Sequence, residues 1–156
     1  MKANDSRVIE LETQLTEHGV RGALAWLNSR TQYRYTALYL VDGTVLKNIY
    51  VFDRNDPTDK PYTDTPINEA YCNLVMDTEQ AIIVTDALHD ARTARHSYSA
   101  AIRSFCGFPL QRADGSACGA LCHFDDQPLE IDASERAMLD IAGKVLGRAL
   151  EQISKI

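Results

Sequence analysis

SFCGFPLQRADGSACGALCHFDDQP, residues Ser104 to Pro128, reads as two strands joined by a tight turn. Phe105 to Gln111 is apolar, with Gly107 and Pro109 inside it. Asp114-Gly115 supplies the turn, because glycine accepts positive φ without a Cβ clash. Ala117 to Asp125 is the returning strand. Alternation puts Cys118, Ala120, Cys122 and Phe124 on one face and Gly119, Leu121, His123 and Asp125 on the other. A two-residue turn at Asp114-Gly115 sets Cys106 opposite His123 and points it away from Cys122. A slip of one residue would bring Cys106 and Cys122 to the same face.

A second hairpin lies upstream. Tyr33 to Val41 alternates Tyr35, Ala37, Tyr39 and Val41 with Thr36, Leu38 and Leu40, and Asp42-Gly43 signals the turn. Thr44 to Asp53 is the partner strand. Arg54 to Pro66 is rich in Pro and Asp and has no apolar period, which predicts a mobile loop over whatever lies beneath. Thr65-Pro66 opens a helix over 66–78, with Tyr71, Leu74, Val75 and Thr78 on one face. Ala81 to Thr85 is a short apolar strand. Asp86 to Ser97 is a second loop, holding His89, Arg92, Arg95 and His96, and Ser97 or Ser99 caps a short helix to Arg103.

The ends of the chain are helical. Residues 5–18 carry the stripe Val8, Ile9, Leu11 and Leu15, capped by Asp5 or Ser6 and ended or kinked by Gly19 before a second helix over 20–28. Asp132-Ala-Ser-Glu135 is a cap signal for a long final helix with a wide stripe from Met138 to Ile153. Two direct hairpins imply an antiparallel sheet. Both of its faces are apolar, so both must be covered. The expected architecture is a three-layer α/β/α domain of α+β class. The N- and C-terminal helices cover one face, and the central helix and two loops cover the other.

At 156 residues the chain is long enough for one domain with a real core, and its 45% hydrophobic and 24% charged content is that of a globular protein. A net charge of −6 with no Lys/Arg cluster argues against nucleic acid or anionic membrane as partner. No signal peptide and no run of about 20 apolar residues is present. The expected location is the cytoplasm, where the 4 cysteines default to buried thiols.

The pattern Ser-Phe-x-Gly-x-Pro-Leu from Ser104, then Asp114-Gly115, then Gly-x-Leu-Cys-x-x-Asp from Gly119, resembles the closing hairpin of bacterial GAF domains. Ala70-Tyr71-Cys72 through Val84-Thr85-Asp86-Ala87 resembles that family's central helix, loop and third strand, and Glu135 to Leu150 its closing helix. The resemblance covers roughly residues 20 to 150. It implies a GAF/PAS-like fold over the single domain 1–156, with helix 5–18 packing or dimerising. It also implies a non-catalytic sensory role in which a small molecule binds between the sheet and its loop-covered face.

Other members of the fold are alternatives. The free methionine sulfoxide reductases are small redox enzymes with cysteines in loops around the pocket. Here Cys72, Cys106, Cys118 and Cys122 sit in a helix and strands, and that family's motif has no match. Cys122-His123 is similar to the bilin-tethering pair of photoreceptor GAF domains, but lies mid-strand rather than opening a helix. The cyclic-nucleotide signature of Asn, Lys, Phe, Asp and Glu is missing. A ligand-free interaction module is the remaining alternative.

A sheet face roofed by loops tends to leave a cavity lined by aromatics and a few polar groups. The candidate ligand-lining residues are Tyr50, Phe52, Tyr71, Cys72, Val75, Asp86, His96, Cys106 and Phe108. The loop His89, Arg92, Arg95 and His96 would suit an anionic group. No catalytic residue, metal site or cofactor is assigned. The expected partners are an unknown small-molecule ligand, a second copy of the chain through the terminal helices, and a separate output protein. Loops 54–66 and 86–97 would shift on binding and pass the change to those helices.

Overall fold

The structure, a computed structural model, describes residues 6–56, 65–66, 71–95 and 99–154. Its elements run α1 (Ser6–Ser29), β1 (Tyr35–Asp42), β2 (Val45–Asp53), β3 (Thr65–Pro66), α2 (Cys72–Thr78), β4 (Ile82–Val84), β5 (Ser104–Gln111), β6 (Ala117–Asp125) and α3 (Ala133–Ser154). The strands form one antiparallel sheet in the order β3-β2-β1-β6-β5-β4, so the two long hairpins lie side by side and meet at β1 and β6. This is the expected α+β architecture, with helices on both faces of an antiparallel sheet.

The hairpin β5–β6 keeps the expected register by a less direct route. Its tip is a three-residue loop, because the Gly115 amide donates to the Arg112 carbonyl and the Arg112 amide to the Ser116 carbonyl, each at 2.9 Å. Gly115 sits at φ 90°, a left-handed conformation that suits glycine. The extra tip residue is offset by a bulge: Gln111 pairs with Ala117, but Leu110 pairs with Gly119. From there Cys106 lies opposite His123, as a two-residue turn would place it. The bulge turns Cys118 over, however. Cys118 packs with Leu121, on the face opposite Cys122 and Ala120, rather than on theirs.

The first hairpin also carries a bulge. Leu38 pairs with Tyr50 and Tyr39 with Asn48, leaving Ile49 without a ladder partner and exposed. Asp42 pairs with Val45, so the loop is Gly43-Thr44, one residue later than the sequence suggests.

Two helices cover the first face. α1 breaks at Gly19 (φ 71°, ψ −169°), where the predicted boundary falls. Its Leu11, Leu24 and Leu27 meet Leu139, Ala142 and Leu146 of α3 above Leu38, Phe108, Leu110 and Leu121, all buried. Each such leucine removed from water contributes about 1.5–3 kcal/mol. Gly143 and Gly147 let α3 lie directly on β5: a Cβ at either would strike the carbonyl of Pro109 or Gln111. The Asp132 carboxylate accepts from the Glu135 amide at 2.8 Å, so the predicted cap is in place.

The second face differs from expectation in detail. Thr65-Pro66 does not open a helix but pairs with Val45 and Leu46 as the edge strand β3. An edge is where a residue without an N–H fits a sheet. α2 starts only at Cys72. Residues 99–103 form a turn rather than a short helix. Their backbone is drawn into other bonds: Arg103 donates to Asp125 O at 2.9 Å, and its carbonyl accepts from Ala87. Ala87–His89 is a short 3-10 turn.

Candidate ligand-binding face

The second face is built on Ala37, Leu46, Val51, Val84, Phe105 and Cys122, all buried, with α2 lying over β5 and β6. Tyr71 anchors the start of α2. Its hydroxyl donates to the Ile102 carbonyl at 3.0 Å, and its ring meets Phe105 edge-on at 5.5 Å. Burial pushes the phenol up to about 12, so it stays a donor at any ordinary pH. Cys72 lies against Cys122, whose thiol is held well above its usual range first by that neighbour and then by burial. Val75 reaches the sheet over Gly107, where a Cβ would run into Val75 and Phe105.

The rim is ionic. Asp86 caps the 3-10 turn through Leu88 N at 3.2 Å and grips the Arg103 guanidinium at 2.9–3.0 Å. The His89 ring, 2.9 Å away, and then Arg103 hold the Asp86 carboxyl below its usual value. Arg92 donates to Asp90 and to the Ile83 carbonyl at 2.6 Å, closing the outer edge of β4. The Thr93 hydroxyl donates to the Ala87 carbonyl at 2.8 Å. Residues 86–95 are therefore tied down by hydrogen bonds rather than loose. Arg92 is engaged in this way, with its guanidinium turned to Asp90 and Ile83.

Eight of the nine candidate residues lie among the described ones, and they divide between the two faces. Tyr71, Cys72 and Val75 share the α2-covered cluster, and Asp86 stands on its rim. Tyr50, Phe52, Cys106 and Phe108 pack instead on the opposite side, against α1 and α3. Tyr50 lies under the Arg21 guanidinium, 5.2 Å from its ring centroid. Both sheet faces are apolar, so alternation alone does not say which set looks which way. His96 lies outside the described residues, as does most of the expected cover loop 54–66. Three grooves lined by described residues lie away from this face. One of about 440 Å³ runs between residues 29–33 and 129–135, one of about 270 Å³ between α1 and α3, and one of about 340 Å³ along α1.

A polar system that sequence reasoning missed crosses the other face at one end of the sheet. Asn28, Thr36, His123 and Glu135 are all buried there. Asn28 Nδ2 is 2.9 Å from Thr36 Oγ1, which is 2.7 Å from His123 Nδ1. His123 Nε2 is 3.4 Å from Glu135 Oε1, and Arg30 Nε donates to Glu135 Oε2 at 3.0 Å. Arg54 closes the far end on Asn28 Oδ1 at 2.9 Å. Beside this chain Arg34 grips the buried Asp53 with two bonds, at 2.9 and 3.0 Å. The available signals were Thr36 and His123, polar residues inside apolar strands. Their partners are 87 and 12 positions apart in sequence and come together only in the fold. Glu135, read as part of a cap, turns its carboxylate to Arg30 and His123.

Among the described residues no group of three or more His, Cys, Asp or Glu could hold a metal ion. No helix is long and apolar enough to cross a membrane. No protein-family profile matches the sequence, and no curated protein matches it. Solved structures do. The GAF domain of the Acinetobacter phosphoenolpyruvate-protein phosphotransferase is similar at TM-score 0.76 and 14% identity, over 96% of this chain and 94% of that one. A Burkholderia vietnamiensis protein described as a GAF sensor gives 0.74 and 15%, over 97% and 95%. The free methionine-R-sulfoxide reductase of Neisseria meningitidis, solved with its substrate, gives 0.71 and 17%, over 94% and 91%. Sheet order, helix placement and these near full-length likenesses agree that the chain has the GAF-domain fold.

Proposed function

We propose that this chain is a non-catalytic sensory domain that binds a small molecule on the α2-covered face of its sheet and signals through α1 and α3. One observation carries the reading. The first face lies under helices of 24 and 22 residues, whereas among the described residues the second is covered by the 7-residue α2 and the turns that carry Ala87 and Ile102. A short, locally anchored cover can yield to a guest, while two long packed helices cannot do so without loss of the core. Tyr71, Cys72 and Val75 would touch the ligand, with Asp86 and Arg103 at the mouth.

The signal would leave through the terminal helices to a second copy of the chain or to a separate output protein. Val8 and Leu11 and most of the α3 stripe are spent on this chain's own core. The strip left for a homodimer is Ile9, which is exposed, with the half-buried Leu15 and Val145 beside it. Sedimentation showing only a 17.4 kDa species at micromolar concentration would remove the dimer.

The reductase relatives make a thiol enzyme the alternative. The state of the cysteines favours binding instead. All four are buried; burial pushes the Cys106 thiol up to about 12 and holds Cys118 above its usual value, and Cys122 is raised as well. The thiolate is the reactive form, and the surroundings of Cys106, Cys118 and Cys122 disfavour it.

Thermal unfolding against nucleotides, amino acids, keto acids and tetrapyrroles tests the proposal. A ligand present at about 100 times its dissociation constant adds about 2.7 kcal/mol. The shift should shrink in Val75→Trp, whose larger ring would crowd the contact of α2 with the sheet at Gly107. Uniform silence across these classes, or methionine sulfoxide turnover that any single Cys→Ser variant abolishes, would overturn it.

A further inference from the structure

One arrangement of protons satisfies every donor in the buried chain at the end of the sheet. The Tyr33 carbonyl can only accept, so the Asn28 atom 3.0 Å from it is the amide nitrogen. The same nitrogen faces Thr36 Oγ1, and Asn28 Oδ1 accepts from Arg54. Thr36 Oγ1 therefore accepts from Asn28, and its own single proton goes to His123 Nδ1. The ring must then carry its proton on Nε2, aimed at Glu135. With a neutral ring every donor has an acceptor. A second ring proton, on Nδ1, has no place. Thr36 Oγ1 would have to accept from Asn28 and His123 at once and turn its own proton away inside a buried site. An unmet buried donor costs about 1–3 kcal/mol.

Four structural units meet in this chain: the end of α1 (Asn28), β1 (Thr36), β6 (His123) and the first turn of α3 (Glu135). The groups around the ring are few. Tyr33 stacks on it at 5.6 Å, and Glu135 faces it from α3 with Arg30 behind. Arg54 contributes positive charge from the end of β2, and on β5 the Cys106 thiol donates to the His123 carbonyl at 3.7 Å. We propose that His123 is a proton-operated latch: while neutral it holds the C-terminal end of α1 and the N-terminal turn of α3 onto the sheet, and protonation releases them. Burial keeps the proton off the closed ring, against the pull of Glu135. Opening exposes a ring of ordinary affinity, so acid favours the open form.

Hydrogen exchange and histidine NMR on the full chain, from pH 7.5 to 5.5, test this. At pH 7.5 the ring nitrogens of His123 should report the Nε2–H tautomer. Protection factors, corrected for intrinsic exchange, should fall by up to about tenfold by pH 5.5 at amides near Asn28 and in the first turn of α3, the limit set by an exposed ring of pKa 6.5. Amides in the middle of β5 and β6 should keep theirs. His123→Gln should flatten this response, and Thr36→Val should alter the tautomer without removing the titrating ring. An Nδ1–H tautomer in the native protein would overturn the latch. So would equal loss of protection at helix ends and central strands, or an undiminished loss in His123→Gln. Should that variant fail to fold, the tautomer and the site-by-site pattern in the native protein decide alone.

Discussion

The two faces of the sheet bury similar side chains by different means. On one, α1 and α3 interlock with long strands, and glycines in α3 bring helix backbone onto β5. On the other, the short helix α2 is pinned by the Tyr71 hydroxyl and by Glu79, which accepts from the Ala117 amide, and a turn is pinned by Asp86, Arg92 and Thr93. The first arrangement stores stability in volume packing, which is felt everywhere when one methylene is lost. The second stores it in a few local bonds that can be exchanged one at a time. One domain thus offers a rigid side for holding shape and a side suited to change.

Single core truncations give the sharpest contrast. Leu121→Ala, under both terminal helices, should lower unfolding free energy by about 3–4 kcal/mol in denaturant titration. Val75→Ala, on the buried side of α2, should lose only about 1.5–2 kcal/mol, the transfer value of its methyl groups. Equal losses would erase the distinction between the faces. Glycine substitutions probe the same contrast at smaller scale. Gly147→Ala should cost about 1–3 kcal/mol, since the new methyl meets the fixed backbone of Gln111. Gly107→Ala meets only the side chains of Phe105 and Val75, which can move, and should cost less than Gly147→Ala.

How far the sequence foretold this depends on where the information lies. Apolar alternation and Asp-Gly turns are local, and they placed both long hairpins and the sheet between helices. The GAF-like motifs in Ser104–Asp125 supplied the topology. Face assignment failed for Tyr50, Phe52, Cys106 and Phe108 because both sides of the strands are apolar, leaving no polar side to mark the outside. Thr65-Pro66 reads as a helix start because proline suits a first turn and an edge strand equally. The polar chain from Asn28 to Glu135 left almost no local trace, since hydrogen-bond partners are chosen by tertiary contact.

Acidity should separate the faces next. The His123 pKa is lowered in the folded chain, so its stabilising share is complete above the unfolded value of 6.5 and is lost as pH falls toward the folded one. Urea midpoints at pH 7.5 and 5.5 should differ by up to about 1.4 kcal/mol, a difference missing in His123→Gln. Asp86, whose carboxyl is also held low, should leave the rim intact through that interval and lose its hold only under stronger acid. The smallest effect is expected on the outer surface of α3. Lys144→Ala, which breaks an exposed pair with Asp140, should change stability by less than about 0.5 kcal/mol.

The extra residue at the tip of β5–β6 and the bulge near Cys118 cancel each other. The hairpin therefore carries two independent adjustments. Deleting Gly115 leaves Arg112 and Ser116 to close a two-residue loop, and deleting Cys118 straightens the strand between Ala117 and Gly119; neither moves Cys106 from its place opposite His123. A residue added to β6 past the bulge has no such buffer and would carry His123 under α2 and Cys122 under the long helices. A library of single deletions and insertions along this hairpin would read out that tolerance directly, with folded members confined to changes at the tip and the bulge.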